Sequence, residues 1–289
     1  MKKRLCFALL FLSAAAVRAE LPDIRSAAPD LSVPPVTAEA PAAGRRVRLT
    51  LPAYAGTDVH HALYLPADWR ADRRFPVIVE YAGNGSYSNR YGDVSDGTVE
   101  GSRLGYGASG GAGFIWVCAP YVSADRRRNQ PTWWGDLEAT VGYCTGLVAE
   151  VCAKYGGDPQ AVFLAGFSRG ALACNYIGLH DDAVASLWRG FICHSHYDGV
   201  RTWGYAASDR ASAAARLARL KGRPQFISQE GSTRETEAYL REACPGGRFT
   251  FVPLPYRNHT DAWTLRGIPE RAALRAWLAE ALGEEKRTR

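Results

Sequence analysis

From residue 45 onward, apolar positions fall into short runs of two alternating kinds. Residues 46–51 and 60–65 alternate or run apolar and predict an opening antiparallel pair of strands. Residues 76–81 (PVIVEY), 114–119, 161–167, 190–194, 224–229 and 248–254 are short runs rich in β-branched or aromatic residues. Such runs are typical of buried strands. Between them lie segments of helical spacing: 136–155, ending at Gly156-Gly157, then 171–179, the Ala-rich 207–220, 233–243 and a closing helix at 269–282. Residues 83–111 are rich in Gly and Ser without a clear period and read as a long loop. Strands alternating with helices imply right-handed βαβ units. The expected fold class is therefore α/β, a mostly parallel sheet flanked by helices in a single domain over residues 45–289. In such sheets ligands bind beyond the carboxyl ends of the strands, which says where to look for chemistry.

One candidate nucleophile lies there. Gly166-Phe167-Ser168-Arg169-Gly170 follows the apolar run AVFLAGF and precedes the helical segment ALACNYIGL. A Gly-x-Ser-x-Gly pentapeptide at a sharp strand-to-helix turn lifts the serine hydroxyl above the sheet edge. Glycines on either side relieve the crowding of that turn. The helix that follows directs its positive end at the site. The same pattern recurs at Gly107-Ala108-Ser109-Gly110-Gly111, but Ser109 follows no apolar run and precedes a strand, the wrong polarity. The competing role for Ser168 is a helix N-cap.

A serine hydroxyl needs a base. His259, in Arg257-Asn258-His259-Thr260-Asp261, follows the strand at 248–254 and precedes the last helix, so it fits by chain order. His194 and His196, after the strand at 190–194, are its competitors. A carboxylate should orient the imidazole and stabilise its charged form. Glu230, at the end of the run QFISQ, is the first choice, and Asp198, after the preceding strand, is the alternative. Donors for a developing oxyanion are expected from the Arg169 backbone N–H and from the Tyr81-Ala82-Gly83-Asn84-Gly85 loop, with Gly83 and Asn84 as candidates. Aromatic residues crowd the same loops, among them Tyr81, Trp133, Trp134 and Tyr197. Their rings either stack on sugar or aryl groups of a substrate or roof the long loops.

The N-terminus changes the picture of location. Residues 1–19 carry Lys2, Lys3 and Arg4, then the apolar run from Leu5 to Leu12, then Val17-Arg18-Ala19. This is the pattern of a secretory signal with a cleavage site, and the apolar run is too short to span a bilayer. The mature chain is expected to be exported, periplasmic or extracellular, and not membrane-bound. Residues 20–44, with five prolines at 22, 29, 34, 35 and 41, read as an extended or disordered leader. The formal charge is +6, but residues 1–19 contain four basic groups and no acidic one, leaving 31 basic against 29 acidic groups. That balance and the scatter of basic residues argue against a nucleic-acid partner. Export permits disulfides among the six remaining cysteines, and no Cys-x-x-Cys pair suggests zinc.

From about residue 45 to its end the chain resembles the α/β-hydrolase superfamily, whose order of nucleophile, acid and histidine matches Ser168, the carboxylate and His259. Gly157-Asp158-Pro159 ahead of AVFLAGFSRG resembles the run-in of secreted esterases and of prolyl-oligopeptidase-like and polyhydroxybutyrate-depolymerase-like hydrolases. The oxyanion loop lacks the His-Gly-Gly-Gly motif of lipases. The resemblance implies a serine hydrolase without metal or cofactor. Its expected substrate is a small-molecule or polysaccharide ester, acyl or feruloyl. A serine peptidase of the same fold is the alternative, and an inactive glycan-binding protein the alternative of another class.

Overall fold

The computed structural model describes residues 20–283. The segment read as a signal, residues 1–19, lies outside the described residues. Nine strands form one sheet: β1 (Val36–Thr37), β2 (Arg46–Leu49), β3 (His61–Tyr64), β4 (Phe75–Tyr81), β7 (Ile115–Ala119), β8 (Gly157–Phe167), β9 (Gly190–His194), β10 (Gln225–Glu230) and β11 (Phe249–Leu254). Their spatial order is β1-β2-β3-β7-β4-β8-β9-β10-β11. The β2–β3 and β3–β7 pairs are antiparallel, and all other pairs are parallel. A separate hairpin, β5 (Tyr87–Ser88) with β6 (Val94–Ser95), stands inside the long Gly-rich loop. The helices are α1 (Leu104–Ser109), α2 (Leu137–Lys154), α3 (Arg169–Tyr176), α4 (Asp182–Ala185), α5 (Arg210–Leu217), α6 (Arg234–Ala243) and α7 (Pro269–Leu282).

The central strands are buried on both faces, which is why they read as continuous apolar runs rather than alternating ones. One core layer joins Val77, Val79, Val117, Val162 and Leu164 to α2, α3, α5 and α6. The other joins Ile78, Trp116, Phe163, Ile192 and Phe226 to α1 and α7. The sheet thus carries helices on both sides and leaves its carboxyl ends open. Among the described residues no helix is long and apolar enough to cross a membrane, and all six cysteines are free.

Three features depart from the sequence reading. Helix α1 lies within the segment read as loop. Its two inner glycines weaken it locally, but a Cβ at Gly105 would meet Trp116 at 2.3 Å and one at Gly107 would meet Thr264 at 2.3 Å, so close packing requires them. Its first turn is capped by a strand residue, Glu80, whose carboxylate accepts from the amides of Arg103, Leu104 and Gly105 and from Trp116 Nε1. Strand β8 begins four residues before the expected start at residue 161, because Gly157 pairs with Phe75 across a register shift. Residues 20–44, read as an extended or disordered leader, carry a short 3-10 turn at Ile24–Ser26 and are held on the domain. Ile24 is buried, its amide donates to Asn258 Oδ1 at 2.7 Å, Asp30 makes a two-pronged pair with Arg271, and β1 adds to the sheet edge.

Candidate active site

Ser168 connects β8 to α3 with φ 54° and ψ −113°. A left-handed φ at a residue with a side chain is uncommon and strained. The glycines around it are sterically required: a Cβ at Gly166 would lie 2.0 Å from the Gly170 carbonyl carbon, and one at Gly170 would lie 2.0 Å from the Tyr81 carbonyl oxygen. The turn is fastened to the next strand by Ser168 N–H donating to His194 O at 2.8 Å. The Ser168 side chain makes no capping bond to α3. Its Oγ instead lies 3.0 Å from His259 Nε2. Ser109, the other match to the pattern, closes α1 and donates to the Tyr106 carbonyl.

His259 sits on the loop after β11. Its Nδ1 lies 2.6 Å from Glu230 Oε1 at the end of β10. Serine, imidazole and carboxylate are thus brought into one hydrogen-bonded line, all three half-buried. Burial works to raise the Glu230 pKa, but the hydrogen bond and charge of His259, with smaller contributions from His194 and Ser195, bring it down to about 2. The alternative acid, Asp198, is not in this line. It is buried against Arg216, with 2.8 Å from Nε to Oδ2 and 3.0 Å from Nη2 to Oδ1, and also accepts from the Tyr205 hydroxyl. Helix α5 supplies that arginine and so draws the carboxylate away from the histidine.

The competing histidines are accounted for. His194 is buried, with Nε2 at 3.0 Å from the Thr260 carbonyl and Nδ1 at 3.0 Å from Ser228 Oγ. A carbonyl only accepts, so Nε2 carries the proton and Nδ1 accepts from Ser228. Burial pulls its pKa down to about 4, and the ring is neutral. His196 stands with its ring centroid 5.1 Å from that of His259 and is likewise pulled down by burial, to about 4.

The oxyanion candidates flank the Ser168 turn: a Cβ at Gly83 would meet the Phe167 ring at 3.0 Å. Among the described residues the amides of Gly83 and Asn84 donate to no backbone carbonyl, and Arg169 opens α3, where a first-turn amide has no intrahelical acceptor. The Asn84 side chain is committed, its Oδ1 accepting from Trp133 N–H at 2.9 Å. The Arg169 guanidinium is buried over the Tyr121 ring and donates to Gly83 O at 2.8 Å and Trp133 O at 2.7 Å. Burial lowers its pKa to about 10, which leaves it charged at neutral pH. The residue after the nucleophile therefore ties the Gly83–Asn84 loop in place through its side chain.

Three of the four aromatic candidates are corrected. Tyr81, Trp134 and Tyr197 are 0%, 6% and 2% exposed. Tyr81 packs on Tyr121, Trp134 stacks on Tyr176, and the Tyr197 hydroxyl bonds Gln225. They serve the core, each ring held by a partner distant in sequence. Trp133 alone of the four is half-exposed.

Two residues missed in the sequence support the line. Ser195 Oγ donates to the second carboxylate oxygen of Glu230, Oε2, at 2.6 Å, from a backbone at φ 79°. Asp93, buried after the β5–β6 turn, accepts from His259 N–H at 2.9 Å and from Asn258 Nδ2 at 2.8 Å, anchoring the loop that carries the histidine. The position of Ser195 at the carboxyl end of β9, between β8 and β10, was the available signal.

No protein-family model matches the chain, and no curated protein matches it. Among solved structures it is similar to an S-formylglutathione hydrolase from Agrobacterium tumefaciens, at TM-score 0.57 and 14% identity, covering 81% of this chain and 94% of that one. It is similar to a thermostable esterase at TM-score 0.52 and 14% identity, covering 81% of this chain and 62% of that one. It is similar also to the isopeptidase AtxE2 at TM-score 0.50 and 14% identity, covering 83% of this chain and 40% of that one. The chain spans less than two thirds of the esterase's and the isopeptidase's own lengths. A mostly parallel sheet flanked by helices, together with these neighbours, identifies the fold: the chain has the α/β-hydrolase fold.

Proposed function

We propose that this protein is a serine hydrolase that cleaves carboxylic esters, with Ser168 as nucleophile, His259 as base and Glu230 as the acid that orients it. The observation that carries the reading is the line from Ser168 Oγ to His259 Nε2 at 3.0 Å and from His259 Nδ1 to Glu230 Oε1 at 2.6 Å. The ionised Glu230 accepts from Nδ1–H and so leaves Nε2 free to accept. Ser168 attacks the ester carbonyl while Nε2 takes its proton. The tetrahedral oxyanion forms against the amides of Arg169 and Asn84 and the N-terminus of α3. Collapse returns the proton from Nε2 to the departing alcohol and leaves an acyl-Ser168. A water, deprotonated by the same Nε2, then releases the acid.

An esterase and an S-formylglutathione hydrolase among the solved structures of this fold support the ester reading. The finer reading is an exported enzyme, periplasmic or extracellular, acting on acyl or feruloyl esters of polysaccharides. The signal-like residues 1–19 and the half-exposed Trp133 support it. The test is a panel of p-nitrophenyl acetate and peptide p-nitroanilides with the parent protein and Ser168→Ala. Ester turnover with a pre-steady-state burst, lost in Ser168→Ala, is expected. Turnover of peptides in preference to esters would make it a peptidase instead. Glycan binding that survives in Ser168→Ala, without turnover in the parent, would make it a binding protein.

A further inference from the structure

Beside the Ser168–His259 pair stands a continuous run of half-exposed rings. Tyr87 packs edge-on against His259 with centroids 5.0 Å apart. From His259 the rings also continue through His196 at 5.1 Å, Trp203 at 5.0 Å from His196, and Trp133 at 6.0 Å from Trp203. The run starts at the base and ends at the oxyanion loop. Trp133 is fixed there by its own backbone: its N–H donates to Asn84 Oδ1 and its carbonyl accepts from the Arg169 guanidinium.

Two features set these rings apart from ordinary core aromatics. Trp133 holds φ 54°, a left-handed backbone that is strained for a bulky residue. The deeply buried Tyr81, Trp134 and Tyr197 show what core aromatics look like in this fold, whereas Tyr87, Trp133, His196 and Trp203 keep part of their surface exposed. His196 is neutral, so it adds an aromatic face and no charge. The neighbouring cavity, about 350 Å³, is partly open and mixed in character: Ala82, Gly83, Val94 and Phe167 line it together with polar residues such as Ser95 and Arg103. A long alkyl chain needs an enclosed apolar channel to bury its surface. A flat ring needs faces and edges at close range, where aromatic pairs gain more than simple burial gives.

We propose that Trp133, Trp203 and His196 form a subsite that seats a planar aromatic ring of the ester beside Ser168. The inference rests on the hydrolase reading and names what that site selects. The ring could belong to the acyl group or to the alcohol, and the two arms of the test separate these sources. Acid release is titrated with methyl benzoate against methyl butyrate, and with phenyl acetate against ethyl acetate, in the parent, Trp133→Ala, Trp133→Phe and Trp203→Ala. The expected result is an aryl preference in one arm that falls roughly tenfold in both alanine variants and is largely restored in Trp133→Phe. Competitive inhibition of the parent by phenylboronic acid against butylboronic acid repeats the comparison without any substitution, the phenyl compound being the tighter. Equal handling of aryl and alkyl compounds by the parent, or an unchanged aryl-to-alkyl ratio in both alanine variants, overturns the subsite and leaves the esterase reading standing. A parent that turns over none of the four esters and binds neither boronic acid overturns both.

Discussion

Ser195 offers a sharp separation of catalysis from stability. Its hydroxyl donates to Glu230 Oε2 at 2.6 Å, while its backbone sits at φ 79°. A hydrogen bond to a charged group contributes about 1.5–3 kcal/mol. Expressed wholly in the transition state, that range corresponds to roughly 10- to 150-fold in rate. Glu230 keeps its bond to His259, so only part of it is lost, and the expected fall in kcat/KM is about tenfold for both Ser195→Ala and Ser195→Gly. The backbone separates the two variants. Glycine adopts the left-handed region freely, so Ser195→Gly should be about 1 kcal/mol more stable than Ser195→Ala. The Ser195 hydroxyl also helps hold the Glu230 pKa low, so its removal raises that pKa. Ester hydrolysis at neutral pH, with urea unfolding alongside, provides both readouts. Parent-like kcat/KM in both variants, or activity that simply follows stability, would contradict this role.

Other outcomes follow from the same geometry. Glu230→Gln should lower kcat/KM by about 10³-fold or more while the protein stays folded, because the imidazole loses its orienting charge. Asp198→Asn should do the reverse: leaving Arg216 buried without its partner costs about 3–5 kcal/mol in urea unfolding, with kcat/KM near that of the parent. Asp93→Ala should cut kcat/KM more than it cuts stability, since it frees the amide of His259, and Asp93→Asn should recover part of the loss. The folded pKa of Glu230 lies below its ordinary value of 4.5. It therefore contributes stability that is present above pH 4.5 and is lost as pH falls towards about 2. Urea midpoints should drop more steeply over that window in the parent than in Glu230→Gln.

What the sequence made legible was the part written in local patterns. The buried strands have distinctive β-branched runs, and the strand-to-helix context separated Ser168 from Ser109. His259 followed from chain order. Chain order also favoured Glu230 over Asp198, but what removes Asp198 from the line is Arg216, a residue of another helix that chain order does not reveal. Helix α1 escaped notice because its glycines answer to Trp116 and Thr264, and its cap is Glu80, on a strand 24 residues earlier than Leu104. The N-terminal strap has the composition of a leader; its docking depends on Asn258, 234 positions away from Ile24. The fate of each aromatic likewise depended on partners far along the chain, Tyr121 for Tyr81, Tyr176 for Trp134 and Gln225 for Tyr197.

The most direct test of the central claim is reaction of the folded protein with a fluorophosphonate, followed by intact mass and peptide mapping, with Ser168→Ala and His259→Ala in parallel. The account predicts one phosphonyl adduct on Ser168 in the parent, none in Ser168→Ala, and labelling slowed by at least about 10³-fold in His259→Ala. A folded parent that takes up no label, or a label mapped to any residue other than Ser168, would contradict it.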